Sequence, residues 1–166
     1  AAALSKLPRF PGFPESENAR QRSHYVSLAS AIVYQQLHGK AAATIYARVC
    51  ALTPGSAFPK PADLLMLPER ELRTAGLSRN KLVALRDLAE RIEEGRLDLS
   101  RIARRSDDEI IERLTEVRGI GTWSAQMFLM FRLGRLDIMP AGDLGVREGL
   151  RLLDGLDERP APEQAL

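Results

Sequence analysis

The chain has 166 residues, 45% of them hydrophobic, with 24 basic against 22 acidic side chains and a sequence pI of about 8.9. That is enough apolar material for one sizeable core or for two small lobes sharing it. No run approaches the ~20 apolar residues of a membrane span, no signal peptide is expected at the start, and the single cysteine, Cys50, excludes an internal disulfide or a cysteine metal cage.

Residues 1–22 bear several prolines and no periodicity, and are expected to form an irregular arm. From there Tyr25, Leu28, Ala29, Ile32 and Val33 repeat at helical spacing, with Gln36 the next position on the stripe, where the helix should be ending. Ala42, Ile45, Tyr46 and Val49 mark a second helix, with Cys50 on its apolar side. Short pieces at Ala62–Met66 and Glu69–Ala75 lie between Pro59, Pro61, Pro68 and Gly76. Ser78 can cap a longer helix carrying Leu82, Leu85, Ala89 and Ile92, which Gly95 stops.

Ser106 and Glu109 form a capping box ahead of Ile110, Ile111 and Leu114, and this helix should stop near Arg118. Gly119 stands where a helix end wants a residue that tolerates positive φ, and Gly121 leaves the turn without a Cβ to block a close partner. A second helix then begins near Thr122 or Trp123, its outward-pointing amides a natural seat for a phosphate. After it come Pro140, Gly142 and Asp143, the last opening a helix over Leu144–Leu153. No stretch alternates with period two, so the fold class is all-α.

This order of parts resembles the helix-hairpin-helix DNA glycosylase superfamily, and within it the 3-methyladenine DNA glycosylase II family of alkylbase excision enzymes. The likeness runs from about Tyr25 to Leu153 and includes YQQLHGKAA at Tyr34–Ala43 and AGLSRNK at Ala75–Lys81. It implies a compact helical bundle of two lobes with a cleft between them. The helical glycosylase domain would span residues 23–166, with the hairpin at 106–133, a catalytic loop at 134–143, and the family's C-terminal helix lacking from this sequence.

The resemblance also implies the site. Asp143 matches the catalytic carboxylate, although its position suits a helix N-cap equally well. Trp123 matches an aromatic of the base pocket, or else anchors the hairpin in the core. Gln35, Gln36 and Leu37 resemble the wedge that fills the gap left by a flipped base, the alternative being a frayed helix end with Leu37 in the core. Gly119, Gly121, Thr122, Lys40 and Arg118 are expected on the DNA backbone, with Arg147 and Arg151 as further basic groups near the motifs; at a net charge of +2, positive groups must gather on one face to serve. Backbone carbonyls of Thr115, Val117 and Gly119 are expected to hold a sodium or potassium ion.

No other cofactor is implied. Some relatives carry a four-cysteine iron–sulfur cluster, which one cysteine cannot supply. Bifunctional relatives place a lysine two residues after the second hairpin glycine; here that residue is Trp123, and no lysine follows Lys81. The expected activity is therefore a monofunctional glycosylase that hydrolyses the N-glycosidic bond of alkylated purines, the alternative being a DNA-binding module without base chemistry. Its partner would be double-stranded DNA with alkylated bases, met as a monomer in the bacterial cytoplasm near the nucleoid or in a eukaryotic nucleus.

Overall fold

A computed structural model describes residues 22–55 and 57–165, so all but the last residue of the expected N-terminal arm lies outside the described residues. Within them the secondary structure is helical, and no strand occurs. The helices are α1 (His24–Tyr34), α2 (Gly39–Cys50), α3 (Pro61–Met66), α4 (Glu69–Thr74), α5 (Arg79–Glu93), α6 (Asp107–Thr115), α7 (Thr122–Met127) and α8 (Leu144–Asp154). A π-helical turn, Phe128–Arg132, continues α7 without a break, and short 3₁₀ turns lie at Ile102–Arg104 and Pro162–Gln164.

Local chemistry sets the starts. Ser23 accepts from the Val26 N–H at 3.1 Å, and Ser78 does the same for the Lys81 N–H at 3.3 Å, each satisfying an amide that the first helical turn leaves without a partner. Ser106 and Glu109 close the capping box in both directions, the Glu109 N–H donating to Ser106 Oγ at 3.3 Å and the Ser106 N–H to Glu109 Oε2 at 3.1 Å.

Two ends fall short of the sequence reading. α1 stops at Tyr34, so Gln36 lies beyond the helix, at φ +55°. α6 stops at Thr115 rather than near Arg118, because the chain tightens into three-residue turns in which the Val117 N–H bonds the Leu114 carbonyl and the Ile120 N–H the Val117 carbonyl, each at 3.1 Å.

A single core cluster runs from Tyr25 to Leu129. Leu28, Ile32, Leu64, Leu72, Leu85, Leu88, Ile110, Leu114 and Leu129 are among its largest fully buried side chains, drawn from five of the helices and the turn after α7. α1 packs on α2 and α5, α3 and α4 pack on α5, and α6 packs on α7. Tyr25 fixes the far end, stacking edge-on with Phe58 and donating its hydroxyl to the Pro59 carbonyl at 3.1 Å. Cys50 is buried in this cluster, as its helical stripe predicts. α8 contributes no buried residue and lies outside the core. The core thus brings three things to one edge: the end of α1, the start of α5 and the turn between α6 and α7.

Candidate active site

A cavity of about 950 Å³ opens at that edge. Gln35 and Gln36 line it from the end of α1, Asn80 and Lys81 from α5, Gly119 and Ile120 from the hairpin, and Trp123, Met127, Phe128 and Phe131 from α7 and its continuation. By area the wall is mostly apolar and aromatic, which suits a planar organic guest, while serines, amides and the cations Arg22, Lys81 and Arg132 also line it. Trp123 is 51% exposed, which settles the choice left open by the sequence: it is a wall of the cavity and not a core anchor.

Asp143 stands beside this cavity rather than in its wall. The Trp123 indole N–H donates to Asp143 Oδ2 at 2.6 Å, so the aromatic wall and the carboxylate form one unit. The other carboxylate oxygen, Oδ1, accepts the Val146 N–H at 3.0 Å and caps α8. One oxygen thus caps the helix, as the N-cap position predicts, and the other faces the indole. The Val146 amide and then the Trp123 indole, both donating to the charged form, hold the carboxyl below the usual carboxylate range. The group is an anion at neutral pH, held in one orientation by donors on both oxygens.

The hairpin turn has Gly119 at φ +77°, a conformation that only glycine adopts without strain, and a Cβ there would come within 3.2 Å of Ala84 Cβ on α5. Gly121 opens α7 at φ −94° with open space around it. Gly119, Gly121, Thr122 and Arg118 are all exposed. Thr122 starts α7, whose first amides have no carbonyl behind them, so this turn presents donors to solvent. Lys40 is exposed on the first turn of α2.

Gln35, Gln36 and Leu37, the expected wedge, form a turn after α1. Gln35 donates its side-chain amide to the Gly119 carbonyl at 2.8 Å, Gln36 is exposed, and Leu37 is 39% exposed instead of packing in the core. Of the three carbonyls expected to hold a cation, that of Gly119 accepts from Gln35 and that of Val117 from the Ile120 N–H.

Arg147 and Arg151, expected as basic groups near the motifs, have partners within the chain. Arg147 donates Nε to the Pro160 carbonyl at 2.6 Å, and Arg151 binds Glu148 Oε1 at 2.8 Å, so both are engaged by the chain's own acceptors. Pro160, after α8, and Glu148, within it, supply these partners.

The chain belongs to the HhH-GPD superfamily of base excision DNA repair proteins. The match to that family covers residues 29–166. DNA-3-methyladenine glycosylase 1 of Schizosaccharomyces pombe is 36% identical over 146 residues, 87% of this chain and 64% of its own length. A DNA-3-methyladenine glycosidase from Bacillus halodurans is similar in structure, with a TM-score of 0.80 at 40% identity over 88% of this chain and 66% of that one. The S. pombe 3-methyladenine DNA glycosylase solved in complex with abasic DNA matches with a TM-score of 0.74 at 36% identity, over 87% of this chain and 72% of that one. The chain spans about half to two thirds of the length of the curated relatives it matches.

Within this HhH-GPD chain, sequence reasoning missed Lys81 and Phe131 as cavity residues. Lys81 sits in a quoted motif, but nothing local to it says that α5 turns it toward α1, where its ammonium donates to the Val33 carbonyl at 2.7 Å. Phe131 lies on the π-helical turn, and the extra residue in that turn shifts which side chains face the cavity. No helix among the described residues is long and apolar enough to cross a membrane.

Proposed function

We propose that this chain is a monofunctional DNA glycosylase that removes alkylated purines from double-stranded DNA. The observation that carries the reading is the unit formed by Trp123 and Asp143, an aromatic cavity wall hydrogen-bonded to an oriented carboxylate at 2.6 Å. The hairpin turn at Gly119–Thr122 would take DNA phosphates on its exposed amides, with Arg118 and Lys40 adding charge.

A base reaches the cavity only by leaving the stack, and Gln36 or Leu37, both exposed on the turn after α1, would enter the gap with Gln35 close behind. The flipped purine would then lie against Trp123. A purine alkylated at N3 or N7 is cationic, so the indole face attracts it by about 0.5–2 kcal/mol beyond stacking. As the C1′–N bond breaks, its electron pair moves to the base, which leaves neutral, and positive charge grows on the sugar. Asp143, ionised and fixed, stabilises that charge and orients a water. The water oxygen bonds to C1′ and releases a proton to solvent, leaving an abasic site.

Because, among the described residues, no second carboxylate is bonded to Asp143 or its partners to protonate a leaving group, cationic bases are the substrates this arrangement serves. The position of a Schiff-base lysine holds Trp123, and the Lys81 ammonium is engaged by the Val33 carbonyl, so water is the nucleophile. A monovalent cation at the hairpin would bind the Gly119 carbonyl alongside Gln35, since each carbonyl oxygen has two lone pairs. It would add positive charge at the turn, where a DNA phosphate would approach.

The test is release of free base from methylated duplex DNA by the purified chain, with side-by-side single-turnover rates. 3-methyladenine and 7-methylguanine are expected to leave faster than uracil, hypoxanthine or 8-oxoguanine. Preferred removal of a neutral base sinks the alkylpurine assignment, and no release at all leaves the DNA-binding module.

A further inference from the structure

Two side chains reach across the fold to hold the hairpin turn on either side of its tightest point. Asp87, on α5, accepts the Arg118 backbone N–H at 2.8 Å and is itself steadied by Arg91 at 3.1 Å. Gln35 donates Nε2 to the Gly119 carbonyl, one residue on, at 2.8 Å, a link between residues 84 apart in the chain. The turn to which Gln35 belongs is also held from α5, where the Lys81 ammonium takes the Val33 carbonyl that the end of α1 leaves without an amide.

The next residue carries the tension. Gln36, at φ +55°, is the described non-glycine residue in the left-handed region, and the Leu37 N–H folds back to the Tyr34 carbonyl at 3.3 Å. A side chain in that region persists only where its surroundings fix it. The neighbouring fixed point on the hairpin side is the Gln35 amide. Any displacement of the Gly119 peptide is therefore passed by one hydrogen bond to the residue next to Gln36.

We propose that Gln35 is a positioning residue that couples the DNA-gripping hairpin to the wedge turn, so that seating the hairpin on the backbone sets where Gln36 stands. The coupling rests on the base-excision reading above. It also assigns the two adjacent glutamines different work: Gln35 is bonded to the hairpin, while Gln36 is exposed at the cavity edge.

The experiment uses fluorescence, which needs no bond cleavage. The probe is a duplex with 2-aminopurine next to an abasic-site analogue, on which wedge entry unstacks the reporter and raises its emission. Gln35→Ala, Gln35→Glu, which swaps the donor for an acceptor at the same length, and Gln35→Asn, which keeps the amide but draws it back, are compared with Gln36→Ala and with the double variant Gln35→Ala/Gln36→Ala.

Each Gln35 variant is expected to bind the duplex within about twofold of the parent, since no phosphate contact is removed, and to lose more than about half of the fluorescence rise. The double variant is expected to lose no more than Gln36→Ala alone, because two residues acting through one element are not additive. Additive losses, a full rise in the Gln35 variants, or no rise with the parent chain would each overturn the coupling. Melting curves within about 4 °C of the parent identify variants that fold, roughly the shift expected for one lost hydrogen bond. If the parent fails to release base from methylated DNA, the excision reading fails, while the fluorescence still decides the coupling.

Discussion

Gly119→Ala and Gly121→Ala separate two glycines that look alike in the sequence. At Gly119 the backbone has φ +77° and a new Cβ would meet Ala84 Cβ at 3.2 Å; at Gly121 there is nothing within 4 Å. An L-residue in the left-handed region costs about 1–2 kcal/mol against glycine, and Ala84, buried on α5, can yield little to the new methyl. The stiffer unfolded chain offsets about 0.4–1 kcal/mol of this. The net expectation for Gly119→Ala is about 1–2 kcal/mol of lost stability once the contact is included, a fall in melting temperature of roughly 3–8 °C for a chain of this size. Gly121→Ala changes neither φ nor packing, so its stability should stay within about 0.5 kcal/mol. Its methyl instead projects from the exposed turn toward an approaching phosphate and weakens DNA binding. Scanning calorimetry and fluorescence anisotropy on a short duplex read the two effects. The reasoning is refuted if Gly121→Ala melts as early as Gly119→Ala, or if it binds DNA as tightly as the parent.

Three further outcomes test the chemistry. Asp143→Asn should abolish base release yet keep DNA affinity and fold, because asparagine caps a helix as well as aspartate does and no phosphate contact is lost; full activity would return Asp143 to its capping role alone. Trp123→Phe keeps an aromatic wall but removes the 2.6 Å donor to Asp143. On the proposed mechanism Asp143 works as an anion, and its pKa is held low partly by that donor, so parent activity should fall only as pH drops below the usual carboxylate range; losing the donor raises the pKa, and the acid limb of the single-turnover rate should move to higher pH. An unmoved limb would show that the indole has no hold on the carboxylate. Borohydride added during turnover should trap no enzyme–DNA adduct, and strands should break only after alkali or heat; a trapped complex would point to Lys81, the lysine in the cavity wall.

Much of the architecture is written in residues that lie within four positions of one another. Ser23, Ser78 and Ser106 announce helix starts because a hydroxyl meets an amide three residues on, and Gly119 announces its turn because its own φ needs a residue without a Cβ. The pattern around Asp143 is legible for the same reason, as a loop delivering an N-cap to α8. The helix ends are less so, since α6 stopped at Thr115 through carbonyl bonds that several neighbouring turns could make equally well.

What only the tertiary structure decided are the meetings between distant segments. Trp123 and Asp143 lie 20 residues apart, Gln35 and Gly119 84 apart, and Lys81 and Val33 48 apart. Local propensity assigns each residue a helix face or a turn but sets no distance between two of them. That distance follows from how α1, α5 and the hairpin pack around one core. The exposure of Trp123, the engagement of Arg147 by Pro160 and the inward turn of Gln35 are all settled there, because a side chain's partner is fixed by which elements the buried leucines bring side by side.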